Sequence, residues 1–216
     1  MKRTRKARVA DAILISDLHM TDKIPVSRID DYIEAQKRKL EFLKKLSKEN
    51  NNCLILCAGD VFDYWKSSPW LCSFAYRYLP EPFICIPGQH DLPGHSLEEY
   101  YKSGLGLMDS VGKVQVIKDW ENPVVWNNLF IVGVPFGKLD EFEPDKIDFL
   151  KGKRKILLLH TLLWDKKRPA WSKSDCTTDE LLERYGKYFD LILTGDNHQR
   201  FVVIKNESIL VNPGSV

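Results

Sequence analysis

The chain contains 216 residues, of which 44% are hydrophobic, so it is long enough for one domain with a substantial core. Lysine and arginine number 32 against 30 for aspartate and glutamate, and the net charge of +2 gives no overall field that favours nucleic acid. No apolar stretch of the sequence approaches the ~20 residues that a membrane-spanning helix needs, and no signal segment follows the start. The composition therefore predicts a cytoplasmic protein without membrane contact.

We expect residues 1–216 to form a single domain without a capping domain. Residues 1–9 are rich in lysine and arginine and are expected to form a flexible tail, because chain termini are seldom tied down. Cysteine occurs five times, an odd count, and three of these residues lie inside apolar runs, where they act as small hydrophobic side chains. No disulfide is predicted.

The strongest signal in the sequence is a set of short apolar runs that each end at a residue type able to bind metal. Such runs are typical of strands buried on both faces, and parallel sheets place their ligand groups beyond the carboxyl ends of the strands. In chain order, the residues that follow the runs are Asp17 and His19; Asp60 and Asp63; Gln89, His90 and Asp91; His160; and Asp196 and His198. We therefore expect strands whose ends meet at one site.

Between these strands the sequence predicts helices. Apolar residues recur at helical spacing over residues 30–50, which is typical of a helix with one buried face. Shorter helices are predicted over residues 68–79, 96–102 and 177–188, the last two because a Ser or Thr at the N-cap is followed three residues later by Glu. The alternation of strands and helices favours a parallel sheet.

Closely spaced strands are predicted in the middle and at the end of the chain. Residues 114–117, 124–126 and 129–134, and then residues 201–204 and 209–211, are short apolar segments separated by turns. This spacing is typical of antiparallel hairpins. Parallel units combined with an antiparallel portion predict an α/β fold in which two packed mixed β-sheets are flanked by helices, in four αββα layers.

The residue types at the predicted strand ends suit a pair of divalent cations. Such a pair needs one carboxylate that touches both ions, further nitrogen and oxygen ligands for each ion, and open positions for water and phosphate oxygens. Asp60 is the candidate for the shared carboxylate, because Gly59 before it has no Cβ and lets backbone and ligand approach closely. The remaining candidate ligands are Asp17, His19, Gln89, His160, Asp196 and His198.

In order and spacing, these blocks resemble the calcineurin-like metallophosphoesterase superfamily, whose motifs run D-x-H, G-D-x-x-D, G-N-H-D/E, a lone H and G-H-x-H. The resemblance extends from residue 17 to residue 198. It implies a phosphoester hydrolase with two divalent metal ions. By this resemblance the first ion would be bound by Asp17, His19, Asp60 and His198, and the second by Asp60, Gln89, His160 and Asp196.

Two positions depart from the family pattern. Gln89 stands where the family has Asn, so its amide oxygen lies one methylene further out. Asp196 stands where the family has the first His of its last block, which exchanges a neutral nitrogen ligand for an anionic oxygen. Because oxygen donors favour Mn²⁺ or Mg²⁺ over Zn²⁺, we expect Mn²⁺, with Mg²⁺ as the alternative.

The resemblance also implies a catalytic role for His90. In the family this imidazole protonates the leaving oxygen or stabilises the charge that develops there, and it does not bind metal. Asp63 would hold the imidazole in its working orientation and raise its pKa, and Asp91 would be a second orienting residue. The nucleophile would be a metal-bound hydroxide, since coordination lowers the pKa of water to about 7.

Aromatic and cationic residues close to the motif blocks favour a nucleic-acid substrate. We predict substrate contacts for His95, Trp164, Lys166 and Arg168, because bases stack on aromatic rings and cations follow phosphates. Packing is the alternative role for the tryptophans, and an ordinary loop position is the alternative for His95. Residues 88–93, 195–199 and 212–215 resemble DNA-repair exonucleases of the SbcD type and their phage-borne relatives. That resemblance implies DNA as the substrate and an SbcC-like ATPase as a partner.

Two further interpretations remain open. In the first interpretation, the protein is a small-molecule phosphodiesterase or phosphatase. It would act on a nucleotide, or it would resemble the UDP-diacylglucosamine hydrolases, whose first block is similar to residues 16–19. In the second it is a catalytically weak scaffold of the same fold that binds protein partners. Gln89 and Asp196 both keep oxygen donors, whereas a decayed site is expected to lose its ligands, so the sequence favours an enzyme.

Overall fold

A computed structural model of the protein describes residues 9–215 except residues 27, 166, 167, 171 and 173–175. Residues 1–8 of the predicted basic tail lie outside the described residues. The helices are α1 (Tyr32–Glu49), α2 (Pro69–Tyr78), α3 (Gly104–Ser110) and α4 (Thr178–Tyr185). The strands are β1 (Ala12–Ile15), β2 (Leu54–Cys57), β3 (Phe83–Cys85), β4 (Gln115–Val116), β5 (Val124–Trp126), β6 (Leu129–Val134), β7 (Arg154–His160), β8 (Leu163–Trp164), β9 (Cys176–Thr177), β10 (Leu191–Gly195), β11 (Phe201–Lys205) and β12 (Ser208–Asn212).

The strands form two main sheets and one small one. In the first sheet the order is β1-β2-β3-β4, and every pair is parallel. In the second sheet the order is β11-β12-β10-β7-β6-β5, with parallel strands in the centre and antiparallel pairs at both edges. Strands β8 and β9 pair separately. The parallel arrangement places the carboxyl ends of β1, β2 and β3 together in one sheet, and those of β7 and β10 together in the other.

Alternating side chains on the strands build the predicted layers. Along β2, Leu54 and Leu56 contact the second sheet, whereas Ile55 and Cys57 pack under the helices of the first sheet. Along β7, Ile156 faces the first sheet while the next residue packs towards α4. One apolar cluster thus lies between the two sheets and one lies outside each of them, which confirms the α/β fold with sheets flanked by helices.

The helix boundaries follow the capping residues. Ser68 caps α2 by accepting a hydrogen bond from the Leu71 amide, and Thr177 and Glu180 form the predicted capping box at the start of α4. None of the helices in the described part of the chain has the length and apolar character that a bilayer crossing requires.

Two predicted elements differ from the structure. Residues 96–102 do not form an α-helix, because the Ser96 hydroxyl donates to Glu98 instead of capping a helix, and only a turn of 3₁₀ helix follows at Tyr100–Lys102. The helix of this region is α3, which is capped by Ser103. Strand β4 was predicted within the antiparallel portion, but it pairs in parallel with β3 at the edge of the first sheet. The hairpins β5-β6 and β11-β12 are confirmed.

Candidate active site

The predicted strand ends meet at one place, where the carboxyl edges of the two sheets adjoin. Main-chain hydrogen bonds join the loops after β1 and β2, from Asp17 N to Gly59 O (3.1 Å) and from His19 N to Asp60 O (3.0 Å). Across the sheets, Asp196 N donates to Asp17 Oδ1 at 3.1 Å. The fold therefore brings residues from both ends of the chain into a single cluster.

The backbone at this cluster is strained. Asp17 (φ 53°), His19 (φ 44°), Asp60 (φ 51°) and Asp196 (φ 84°) all lie in the left-handed region, which costs about 1–3 kcal/mol for each non-glycine residue. Gly59 (φ 101°) precedes Asp60, and a Cβ there would lie only 2.3 Å from Nδ1 of His160. The predicted close approach at Gly59 is thus confirmed. Strain concentrated at strand ends is typical of sites whose side chains are held for a function.

Three side chains, Asp17, His19 and His198, form the first group that could hold a cation. Nε2 of His19 lies 3.2 Å from Nε2 of His198, and these two nitrogens lie 3.9 and 4.0 Å from Asp17 Oδ1. Two imidazole nitrogens that face each other at this distance need a shared proton or a cation between them. Asp17 is buried, and its carboxylate completes the donor set.

Asp60 lies between the two halves of the cluster. Its Oδ2 atom is 3.8 Å from Nε2 of His19 and 3.4 Å from Nε2 of His160. The same oxygen is buried and has no well-directed hydrogen-bond donor among the described residues, while Oδ1 accepts from the main-chain N–H of His90 at 2.9 Å. An anionic oxygen that is buried between imidazoles and lacks a donor suits a carboxylate shared by two cations.

The second group consists of Asp60, His160, Gln89 and Asp196. Nδ1 of His160 donates to Ala58 O at 2.5 Å, which directs Nε2 towards Asp60 and, at 2.7 Å, towards Gln89 Oε1. The other end of the Gln89 amide donates to Asp196 Oδ1 at 2.7 Å. The two residues that depart from the family pattern are therefore direct partners, and their contact leaves the amide oxygen facing the site.

Asp60 and His160, the pair at the centre of the site, each stabilise the charged form of the other. Burial alone would lower the pKa of His160, but the attraction of Asp60 and Asp17 and the hydrogen bonds of the ring together outweigh it and raise that pKa to about 9. Burial likewise opposes ionisation of Asp60, but the attraction of His160 and His19 and the hydrogen bond from the His90 N–H together outweigh it, so the pKa of Asp60 lies below its usual value. Burial lowers the pKa of His19. His19 is therefore neutral near pH 7, the form in which an imidazole binds metal.

His90 is oriented differently from the prediction. Its Nδ1 donates to the main-chain carbonyl of Asp63 at 2.7 Å, and the expected contact with the Asp63 carboxylate is not the one that holds it. That carboxylate instead lies with Oδ1 3.5 Å from Nδ1 of His19. At Asp63 the main-chain carbonyl faces His90 while the side chain faces the first group, so two imidazoles contact different atoms of one residue. One ring nitrogen of His90 remains close to His19 and Asp60.

Asp91 also has a different role from the predicted one. Its fully buried carboxylate accepts hydrogen bonds from the main-chain N–H groups of Val61 (3.2 Å), Phe62 (2.9 Å) and Gly88 (3.0 Å). Burial, and then repulsion by Asp60, raise the pKa of Asp91 to about 7. Asp91 therefore joins the loop that carries Asp60 to the loop that carries His90, and does not orient the imidazole itself.

Sequence reasoning gave no role to Asn212, although its Asn-Pro-Gly-Ser segment stood out. Asn212 is fully buried at the end of β12, and its amide donates to the carbonyls of Asn197 (2.5 Å) and Gln199 (2.9 Å). These carbonyls flank His198. Asn197 in turn donates to Leu163 O at 2.7 Å. Asn212 is thus a positioning residue for the loop that presents His198, and the available signal was an Asn directly after the strand predicted at residues 209–211.

The residues predicted to contact substrate separate into two places. His95 lines a cleft together with His90. Trp164 lies on β8 and donates from Nε1 to Ser172 Oγ at 2.8 Å, and Arg168 acts electrostatically on Glu180 at the start of α4. Lys166 lies outside the described residues. Of the four predicted contacts, the structure connects His95 to the cluster through this shared cleft.

A fold of two packed sheets with an Asp and His cluster at their common edge fits the expected class, the metal-dependent phosphoester hydrolases. The sequence profile of calcineurin-like phosphoesterases matches residues 12–200, and the chain belongs to that family. The family acts on phosphoesters with divalent metal ions, and the candidate metal-binding residues of this chain fit that chemistry.

Solved structures share the fold at low sequence identity. A phosphopantetheinyl hydrolase from Mycobacterium tuberculosis is 16% identical, with a TM-score of 0.59 over 96% of this chain and 91% of that chain. The protein TT1561 of Thermus thermophilus is 17% identical, with a TM-score of 0.57 over 94% and 88%. The calcineurin-like phosphoesterase YfkN from Bacillus subtilis is 14% identical, with a TM-score of 0.52 over 94% and 80%. No curated protein matches the sequence.

Proposed function

We propose that the protein is a two-metal phosphodiesterase that cleaves DNA. The observation that carries the hydrolase part is the position of Asp60: its buried Oδ2 lies between His19 and His160 and has no well-directed hydrogen-bond donor in the described part of the chain. In this proposal the first ion would be held by Asp17, His19, Asp60 and His198, and the second by Asp60, Gln89, His160 and Asp196. Such ions supply an activated water and neutralise charge on the phosphate oxygens.

In this proposal His90 donates the proton that the leaving oxygen needs. A carbonyl only accepts, so the contact with Asp63 O keeps Nδ1 of His90 protonated and leaves the other ring nitrogen to face the reacting group. In the cationic form of His90 that nitrogen carries the second proton, which passes to the leaving oxygen and leaves a neutral imidazole. The hydrogen bond from His90 N to Asp60 Oδ1 fixes the backbone of the donor against the shared carboxylate. Proton donor and metal ligands are therefore held in one rigid unit.

Manganese is the proposed metal. The second group replaces a family histidine by Asp196, and Gln89 offers an amide oxygen, so its donors are one nitrogen and three oxygens. This donor set is harder than one with two imidazoles and favours Mn²⁺ or Mg²⁺ over Zn²⁺.

Two observations support DNA as the substrate. The motif segments resemble SbcD-type exonucleases, and the cleft beside His90 is lined by Tyr64 and Trp65, on which bases stack. Its volume of about 480 Å³ also suits a single nucleoside, which favours a small nucleotide diester as the second candidate. A role in DNA repair, a cytoplasmic location and an SbcC-like ATPase partner belong to the same proposal.

Digestion of linear DNA with Mn²⁺ tests the proposal. We expect cleavage by the parent protein, and a loss of about 10²–10⁴-fold in turnover for His90→Ala with metal binding retained. Asp60→Asn is the matched control, because it should lose metal binding as well as turnover. Cleavage of bis-p-nitrophenyl phosphate but not of DNA would favour the small-diester candidate. Absence of any Mn²⁺ binding by the parent would contradict the hydrolase proposal and leave the scaffold interpretation.

A further inference from the structure

A cleft opens on the His90 side of the candidate active site. Its volume is about 480 Å³. The residues that line it are Tyr64, Trp65, Gln89, His90, Leu92, Gly94 and His95. Gln89 and His90 belong to the site already described, so the cleft is continuous with the reacting centre. The other lining residues have no part in the proposed metal chemistry.

One wall of the cleft is an anchored aromatic surface. The rings of Tyr64 and Trp65 lie 5.5 Å apart at 46°, and 52% of Tyr64 is exposed. The main chain is fixed because the Trp65 carbonyl accepts from the N–H groups of Ser67 (3.0 Å) and Gly104 (2.9 Å). An exposed ring on a fixed backbone offers a face for stacking at low cost in conformational entropy.

A strained turn also lines the cleft. Gly94 (φ 55°) and His95 (φ 61°) are both left-handed, and the His95 ring meets Phe136 edge-on with centroids 5.4 Å apart. The ring of Phe136 lies in turn 6.3 Å from that of His160. Packing through Phe136 therefore couples the position of His95 to the metal-binding cluster. The left-handed backbone of His95 costs conformational strain, because His95 is not a glycine.

The place of His90 determines which part of a substrate enters the cleft. If His90 protonates the leaving oxygen, the group attached to that oxygen lies on the His90 side of the phosphorus. His90 lines the cleft together with Tyr64 and His95. In the proposed reaction, the cleft is therefore the space next to His90 that a leaving group larger than methanol would occupy.

We propose that this cleft is a leaving-group site that selects a nucleoside, an inference that rests on the proposed phosphodiesterase function. Its volume lies within the range of about 300–1,000 Å³ that is usual for small-molecule sites. The aromatic wall of Tyr64 and Trp65 suits a flat base, and His95 supplies a polar partner. Among the described residues that line it, none carries a negative charge, so a nucleotide is not repelled.

The reaction that follows has a defined product. Water adds to phosphorus, the P–O bond to the nucleoside oxygen breaks, and that oxygen takes its proton from His90. A nucleoside methyl phosphate diester offers two bonds to the same centre. Breakage on the nucleoside side gives nucleoside and methyl phosphate, whereas breakage on the methyl side gives nucleotide and methanol.

The ratio of these products from thymidine 5′-methyl phosphate tests the proposal in a single reaction with Mn²⁺. We expect the parent to release thymidine and methyl phosphate in excess, and Trp65→Ala to lower that product ratio about 10- to 100-fold, the loss typical of one stacked base. Trp65→Phe should restore most of the ratio. Trp70→Ala is the matched control, because Trp70 is an exposed tryptophan that lies on α2 outside this cleft.

Binding supplies a readout that does not depend on turnover. Thymidine added to the metal-free protein should quench tryptophan fluorescence in the parent and in Trp70→Ala, and this quenching should be lost in Trp65→Ala. Equal release of both product pairs by the parent, or an unchanged ratio in Trp65→Ala, would overturn the leaving-group site. Failure of the parent to hydrolyse any diester would instead contradict the proposed function.

Discussion

Replacing Asp91 with alanine removes the acceptor of three buried main-chain N–H groups, those of Val61, Phe62 and Gly88. A buried donor that loses its partner costs about 1–3 kcal/mol. Because three donors are affected at a fully buried position, we expect the free energy of unfolding to fall by about 3–6 kcal/mol, a large part of the stability of a typical domain.

Urea unfolding of the metal-free protein at pH 5 measures this effect, since the Asp91 side chain with its pKa of about 7 is then neutral in the folded protein, and the cost of burying its charge offsets the lost hydrogen bonds much less than at pH 8. Asp91→Asn keeps the shape and one acceptor oxygen, so it should lose about 1–3 kcal/mol and remain folded. A change below about 0.5 kcal/mol for Asp91→Ala would refute the assignment, because effects of that size are usual for surface substitutions without a structural role.

Three further outcomes are expected. Asn212→Ala should weaken metal binding about 10- to 100-fold, because the loop that presents His198 loses both carbonyl contacts, and calorimetric titration with Mn²⁺ would show it; an unchanged affinity would exclude the positioning role. Asp196→His should raise the affinity for Zn²⁺ relative to Mn²⁺, because it replaces an oxygen donor with a nitrogen donor. Parallel titrations with the two metals measure the ratio of the affinities, and an unchanged ratio in the variant would contradict the preference of oxygen donors for Mn²⁺. Metal affinity should fall about tenfold for each pH unit below about 9, since His160 with its pKa of about 9 must release a proton to bind metal; titrations at pH 6, 7 and 8 that give equal affinities would be inconsistent with this competition.

The layers and the location of the site could be predicted because they depend on local pattern. Unbroken apolar runs define strands that are buried on both faces, and parallel strands align their carboxyl ends, so residues as distant in sequence as Asp17 and His198 fall together. The close approach at Gly59 could also be predicted, because a residue without a Cβ leaves room for a neighbouring side chain.

Roles that depend on main-chain direction could not be predicted. Nothing in the residue types indicates that His90 is held by the carbonyl of Asp63 while the side chain of Asp63 faces His19. The three donors of Asp91 are likewise main-chain groups, which every residue except proline carries. The helix predicted at residues 96–102 failed because Ser96 and the acidic residues after it can also satisfy each other within a turn.

The pairing of Gln89 with Asp196 shows a similar limit. Each residue was recognised separately as a departure from the family pattern, but the hydrogen bond of 2.7 Å between them is visible only in the fold. This contact explains how the longer side chain of Gln89 is accommodated. The Asp196 carboxylate accepts a hydrogen bond from the amide nitrogen, so the amide oxygen faces His160.

The central claim is that Asp60 is shared by two cation sites. Calorimetric titration with Mn²⁺ tests it most directly when the parent is compared with Asp60→Asn. The structure predicts two ions per chain for the parent, because Oδ2 of Asp60 lies between His19 and His160. For the variant it predicts a large loss of affinity at both sites. Binding of one ion by the parent, or loss of only one of two ions in the variant, would contradict the shared carboxylate.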